Sequence, residues 1–247
     1  MIGPLLITGS ALAALFMIFS ADKDPPVPVH EPDAPPTPGS TGYKLVDAIL
    51  DSLRQAAQSS GIPLGLLVGW IAKESGGKLG EVTPKYDERG YFQLMPSESK
   101  ALGLDHERLS TDPVYSINGG LALIGKYMGD VDKLGVAPKG SSYYWRLVKL
   151  AHSMGSGAMN KIVDEAKTAG VAGSWESLEK FATANDSHFL SETKHSPLKW
   201  FPFVDKVYAV GAPFGFGATQ QVVGAFGNGA SGQVFKDIVD PLDCIKG

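Results

Sequence analysis

Residues 63–77 read PLGLLVGWIAKESGG. Pro63 suits the first turn of a helix, Leu64, Leu67, Val68 and Ile71 recur at three-to-four spacing as its apolar stripe, and Gly76-Gly77 stop it. Glu74 then falls in the last turn, beside the apolar Trp70 and Ile71. The negative end of the helix macrodipole disfavours a carboxylate there, and burial of the turn adds desolvation, so the position favours a carboxyl that keeps its proton near neutrality. Such a group can protonate a leaving oxygen and act as a base once ionised.

Outward from this segment the pattern stays helical. Leu45, Val46, Ile49, Leu50, Leu53 and Ala56 predict one amphipathic helix ending near 59–61. Asp112-Pro113 opens a helix running to about Met128, and Tyr143–Met154 and Ala158–Ala169 add two more, interrupted at Gly155 and Gly157. Ser174 is placed to cap a helix that begins at Trp175. Strand signals are short and few. The expected fold class is mainly α, a single globular domain over residues 42–210.

Both flanks differ in texture. Residues 1–20, MIGPLLITGSALAALFMIFS, carry no charged side chain and would span about 30 Å as a helix, the thickness of a bilayer core. They are read as an N-terminal transmembrane anchor or signal-anchor, since no basic residue precedes the run and no clean small-x-small cleavage site precedes Asp22. Residues 21–41 hold Pro25, Pro26, Pro28, Pro32, Pro35, Pro36 and Pro38, a composition that favours an extended stalk. At about 3.1 Å per residue such a stalk reaches roughly 60 Å. Residues 211–247 form a Gly-rich C-terminal tail carrying Phe214, Phe216 and Phe226, either a flexible end or a segment that docks on a partner, the core or lipid.

Charge and cysteine usage narrow the function. The chain has 247 residues and a formal net charge of -4, and residues 43–210 hold 19 Lys and Arg against 19 Asp and Glu. A nucleic-acid groove would show a basic excess, so no nucleic-acid partner is expected. The single cysteine, Cys244, allows no intrachain disulfide and no cysteine metal site.

Three patches carry the chemistry: Ala72–Gly76, Gly90–Pro96 and Ala151–Gly157. Gln93 lies between Phe92 and Leu94 and ahead of Met95 and Pro96, so its amide sits at a partly buried wall and must find partners there. A sugar N-acetyl or hydroxyl group is one candidate, and its own backbone neighbours are the other.

In order and spacing these patches resemble the soluble lytic transglycosylase catalytic domain of the lysozyme-like superfamily. That family's motifs run Glu-Ser, then Gly-Leu-Met-Gln-Leu-Met-Pro, then Ala-Tyr-Asn-Ala-Gly. Leu109, Asp112-Pro113, Ile117-Asn118, Gly120 and Tyr127 resemble the stretch between them. The resemblance covers about residues 43–210 and implies an α+β lysozyme-like fold. It also implies cleavage of the β-1,4 bond between N-acetylmuramic acid and N-acetylglucosamine with a 1,6-anhydro product. By the same resemblance Glu74 is the catalytic acid/base, and Ser75 positions substrate or acid. Tyr91, Gln93 and Met95 line the cleft, and His152, Ser153 and Gly155 contact substrate. Peptidoglycan glycan strands are the implied partner, and no metal or cofactor is implied.

The chain departs from the family at two places. His152 and Ser153 stand where the family has Tyr and Asn, which leaves His152 either a substrate contact or a structural residue. Phe203 falls where the family places a Tyr whose hydroxyl orients the acid, with Tyr208 as the nearest substitute. Asp87 and Glu88, on the loop before Gly90, are candidates for a second carboxylate that would activate water. The alternative is therefore a hydrolytic muramidase of the goose-type kind, and a further one is a non-catalytic glycan-binding or structural domain. Anchor, stalk and domain together predict a membrane-anchored enzyme facing the periplasm and cell wall, for local wall opening. Two settings fit: a bacterial envelope protein, or a bacteriophage virion protein with its Gly-rich tail packed against a virion partner.

Overall fold

In the computed structural model of the chain, which describes residues 30–216, the segment at 63–77 is the innermost helix. Helix α3 (Leu64–Glu74) follows α1 (Lys44–Ala48) and α2 (Leu50–Ser60), with Pro63 just outside its first turn. The single helix expected over 45–56 is thus two, meeting at Ile49, where φ is −108° and ψ is 8°. Every residue of α3 from Gly65 to Glu74 is buried, so the expected one-sided stripe is replaced by a helix enclosed all round. Trp70, Leu66, Leu67 and Ile71 are fully inaccessible, and burial of each contributes about 1.5–3 kcal/mol.

What covers α3 is α10 (Pro197–Gly211), which carries Pro202 in its interior. The two helices touch backbone to backbone. A Cβ at Gly69 would stand 2.1 Å from the Val207 carbonyl oxygen, and one at Gly211 2.0 Å from that of Gly65. No periodicity in either segment alone announces this contact, because it depends on glycines in one helix meeting backbone of the other.

Between α3 and the next helices the chain forms a small antiparallel hairpin. Strand β1 (Val82–Thr83) pairs with β2 (Glu88–Arg89), with Thr83 opposite Glu88. Helix α4 (Pro96–Leu102) and a 3-10 turn at Arg108–Ser110 lead to α5 (Pro113–Leu134). The Asp112 side chain accepts from Tyr115 N–H as the cap expected of it. The helix runs past Met128 to Leu134 and ends on the left-handed Gly135. Phe92 packs so tightly on α5 that a Cβ at Gly120 would lie 2.0 Å from its ring.

Helices α6 (Ser142–Met154) and α7 (Ser156–Thr168) are separated by Gly155, whose φ of 79° breaks the helix. Helix α8 (Trp175–Ala184) is capped by Ser174, and α9 (Asp186–Thr193) returns the chain to α10. The mainly helical fold with one small hairpin fits a mainly α, lysozyme-like domain.

The flanks differ from the sequence reading in detail. Of the expected stalk, residues 30–41 are described and fold back onto the domain. The His30 carbonyl accepts from the buried Lys73 ammonium and from Tyr43 OH, and Thr41 N–H and Ser40 OH both donate to Asp47. Residues 211–216, assigned to the tail, also pack on the domain: Gly65 N–H donates to Gly215 O at 3.0 Å, and Phe216 stacks on Tyr208 at 4.0 Å. No helix among the described residues is long and apolar enough to cross a membrane. The candidate span 1–20 and the tail from 217 onward lie outside the described residues.

Candidate active site

The C-terminal end of α3 opens into a cavity of about 260 Å³. Glu74, Glu88, Met95, Tyr127, His152, Ser153 and Gly155 line it, together with Tyr86, Met154, His195 and Trp200. The break at Gly155 brings the end of α6 to the rim, the hairpin supplies Tyr86 and Glu88, and the start of α10 supplies Trp200.

Glu74 is 7% exposed, and its Oε1 accepts from the Lys149 ammonium at 2.6 Å. His152 Nδ1 stands 3.5 Å from the same oxygen. Lys149 is 0% exposed, and its Nζ also donates to Ser153 Oγ at 2.9 Å and lies 3.2 Å from His152 Nδ1. The rings of Trp70 and Phe203 stand 4.7 Å and 4.8 Å from Nζ. Burial pulls Lys149 below the ordinary lysine value, and the Glu74 carboxylate opposes that shift. Burial, with the charges of Lys149 and Lys126 added, holds His152 well below the ordinary imidazole value. His152 is therefore a neutral ring between Trp70, 4.9 Å away, and Tyr127, 5.8 Å away. A Nδ1 that accepts from Lys149 places the ring proton on Nε2.

The sequence reading of Glu74 weighed burial and the helix end alone. Lys149 adds a cation in direct contact with Glu74 Oε1, a partner that neither consideration anticipates. The missing signal lies in α6: Trp145, Lys149 and His152 share one helix face, so a lysine sits inside a buried stripe.

A second carboxylate shares the cavity. Burial, reinforced by the nearby Glu74 charge, pushes Glu88 up to about 7. Asp87, its neighbour in the sequence, does not line the cavity: it accepts from Arg89 Nε at 2.8 Å, and its carbonyl contacts His106 Nε2 at 2.7 Å. Behind the wall, Glu98 accepts from Tyr127 OH at 2.6 Å and from Met95 N–H at 2.9 Å, and burial raises its proton affinity.

Other expected contacts are turned inward. Gln93 is 3% exposed; its amide donates to Gly90 O and Glu81 O and accepts from Thr83 OH, so its own surroundings satisfy it. Ser75 is fully buried and donates to Tyr91 O at 2.9 Å, tying α3 to the segment after the hairpin. Tyr91 is buried, with its N–H on Ser116 Oγ, and does not line the cavity. Tyr208, the expected substitute for a hydroxyl at Phe203, donates to Ser142 O instead. It lines a separate depression of about 460 Å³ around Arg146. There Arg146 is committed to Asp205 and to the faces of Trp175 and Tyr208.

A mainly helical domain with a buried glutamate at a cleft beside a hairpin fits a lysozyme-like domain. Residues 51–172 match the family described as Transglycosylase SLT domain, consistent with a lytic transglycosylase catalytic domain. The matched span contains Glu74, the hairpin, Lys149 and His152. It supports a lytic transglycosylase-type, peptidoglycan-cleaving function and implies that the domain binds peptidoglycan. Comparison with curated proteins found no match.

Proposed function

We propose that the protein is a membrane-tethered lytic transglycosylase in which Glu74 alone serves as acid and base. The observation that carries this reading is the placement of Glu74 at the end of α3, on the wall of the cavity, with contacts from Lys149 and His152 confined to Oε1. Among the described residues no protein group holds Oε2, so that oxygen can meet a glycosidic bond. A protonated Glu74 gives its proton to the glycosidic oxygen as the C1–O bond breaks. The carboxylate then takes the proton of the muramoyl 6-hydroxyl as O6 bonds to C1, closing the 1,6-anhydro ring and leaving the acid protonated as at the start. Residues 1–20 anchor the chain to a membrane, and the site faces the wall in a bacterial envelope or a phage virion.

The test is mass analysis of soluble products from peptidoglycan treated with the chain and with Glu74→Gln. Anhydro-muropeptides from the wild type, with turnover reduced about 10³-fold in the variant, support the reading. A variant that still binds glycan strands but cuts none separates binding from chemistry. Undiminished turnover in Glu74→Gln would sink the assignment, and binding without cutting by the wild type would point to a glycan-binding domain.

Glu88 favours one second reading, a muramidase. A carboxyl with a value of about 7 in the same cavity is a base only once ionised, so activation of water by Glu88 would grow from neutral pH upward. Reducing-end products that increase with pH and vanish in Glu88→Gln identify that reaction.

A further inference from the structure

We propose that Lys149 is the positioning residue for the acid/base: its ammonium fixes Oε1 of Glu74 and leaves Oε2 to react. This inference rests on the reading of Glu74 given above.

The geometry is that of a clamp. An ammonium has three protons, and the three polar groups around Nζ are Glu74 Oε1 at 2.6 Å, Ser153 Oγ at 2.9 Å and His152 Nδ1 at 3.2 Å. Trp70 and Phe203 stand against the same Nζ, so it cannot swing out of the wall. Ser153 in turn donates back to the Lys149 carbonyl at 3.1 Å. The clamp therefore arises from one turn of α6 and meets α3 across the site. Among the described residues, the Lys149 hydrogen bond and the His152 approach to the Glu74 carboxylate both fall on Oε1. An asymmetric carboxylate held in this way presents a fixed second oxygen, which is what proton delivery to one substrate atom requires.

Stability alone does not account for such a lysine. Enclosing an ammonium among rings carries a large desolvation cost, and replacing a buried ion pair by apolar groups is often neutral or stabilising. A methionine of similar length would fill the same space between Trp70 and Phe203. What it could not do is hold Oε1.

The experiment compares the full chain with Lys149→Met, Lys149→Ala and Glu74→Gln, reading kcat and KM on soluble uncrosslinked glycan strands together with thermal unfolding. Lys149→Met is expected to lose about 10²-fold in kcat with KM within about twofold. Methylammonium or ethylammonium added to Lys149→Ala is expected to restore part of that kcat without moving its unfolding temperature, because a free amine can occupy the vacated slot. A purely structural lysine predicts no such rescue. Wild-type kcat in either Lys149 variant, or a loss confined to KM, overturns the proposal while the Glu74 reading stands. If Glu74→Gln keeps wild-type kcat, the underlying reading fails instead. If Lys149→Met does not fold, Lys149→Ala with and without amine decides: an amine-dependent kcat supports the clamp, and its absence removes it.

Discussion

Gly69 in α3 lies directly against the Val207 carbonyl of α10, close enough that a Cβ on residue 69 would sit 2.1 Å from that oxygen. The contact sets the depth of α3 and hence where its last residue, Glu74, emerges. It also places α10 so that Phe203 and Trp200 reach the site. Gly69→Ala must push the two helices apart against backbone, with no flexible side chain to yield. The expected loss is about 3 kcal/mol of unfolding free energy, read as a lowered denaturant midpoint at unchanged slope. An unchanged midpoint would show that the helices part at little cost.

Glu88 makes stability depend on pH in a defined direction. Its folded value of about 7 lies above the usual 4.5, so between those values the folded chain binds more proton than the unfolded one at this site. The contribution is complete below about pH 4.5 and is lost as pH rises through about 7. Glu88→Gln removes it. Relative to the variant, the wild type is therefore expected to lose up to about 3 kcal/mol between pH 4 and pH 8. Denaturant melts of both proteins across that range check the difference, and parallel curves would exclude it.

Much of this architecture is legible in the sequence, because helices announce themselves locally. Asp112 and Ser174 cap the helices assigned to them, and Gly155 breaks one where expected. Glu74 falls in the last turn of α3, as the pattern from Pro63 to Gly77 requires. What escapes is set by partners distant in sequence. Lys149 reads as an ordinary charged position until Glu74, 75 residues away, is found at its ammonium. The helix over α10 is obscured by Pro202, which costs a backbone hydrogen bond yet is carried by packing on α3. Gln93 and Ser75 belong to motifs that look like a substrate wall, but their polar atoms are consumed in joining the hairpin segment to α3 and to itself.

Gln93 therefore gives a prediction opposite to that of a substrate contact. Its amide ties Gly90, Glu81 and Thr83 together, and its backbone has a φ of +52°, in the left-handed region. Gln93→Ala removes the ties and keeps the strain, with an expected cost of about 2 kcal/mol in stability and little change in KM at a temperature where the fold holds. Gln93→Gly loses the same ties but relieves the backbone, so it should be the more stable of the two by about 1 kcal/mol. The reverse order, or a large rise in KM with stability intact, would return Gln93 to the cleft wall.

Tyr127 has two jobs that one substitution separates. Its ring packs edge-on against His152 at 5.8 Å, and its hydroxyl donates at 2.6 Å to Glu98, a buried carboxyl that also accepts from Met95 N–H. Tyr127→Phe keeps the ring and leaves one Glu98 oxygen without its donor. A buried acceptor so stranded costs about 1–3 kcal/mol. Burial already raises Glu98, and the tyrosine hydroxyl works against that shift by favouring the ionised form. Its loss therefore weighs most at high pH, where the carboxylate must stay charged, and least in acid, where the carboxyl is protonated. The expected result is a stability difference between wild type and Tyr127→Phe that widens as pH rises, measured by thermal or denaturant unfolding. With the His152 contact retained, kcat should change far less than in Lys149→Met. A difference that is flat with pH would mean that Glu98 draws its support from the Met95 N–H alone.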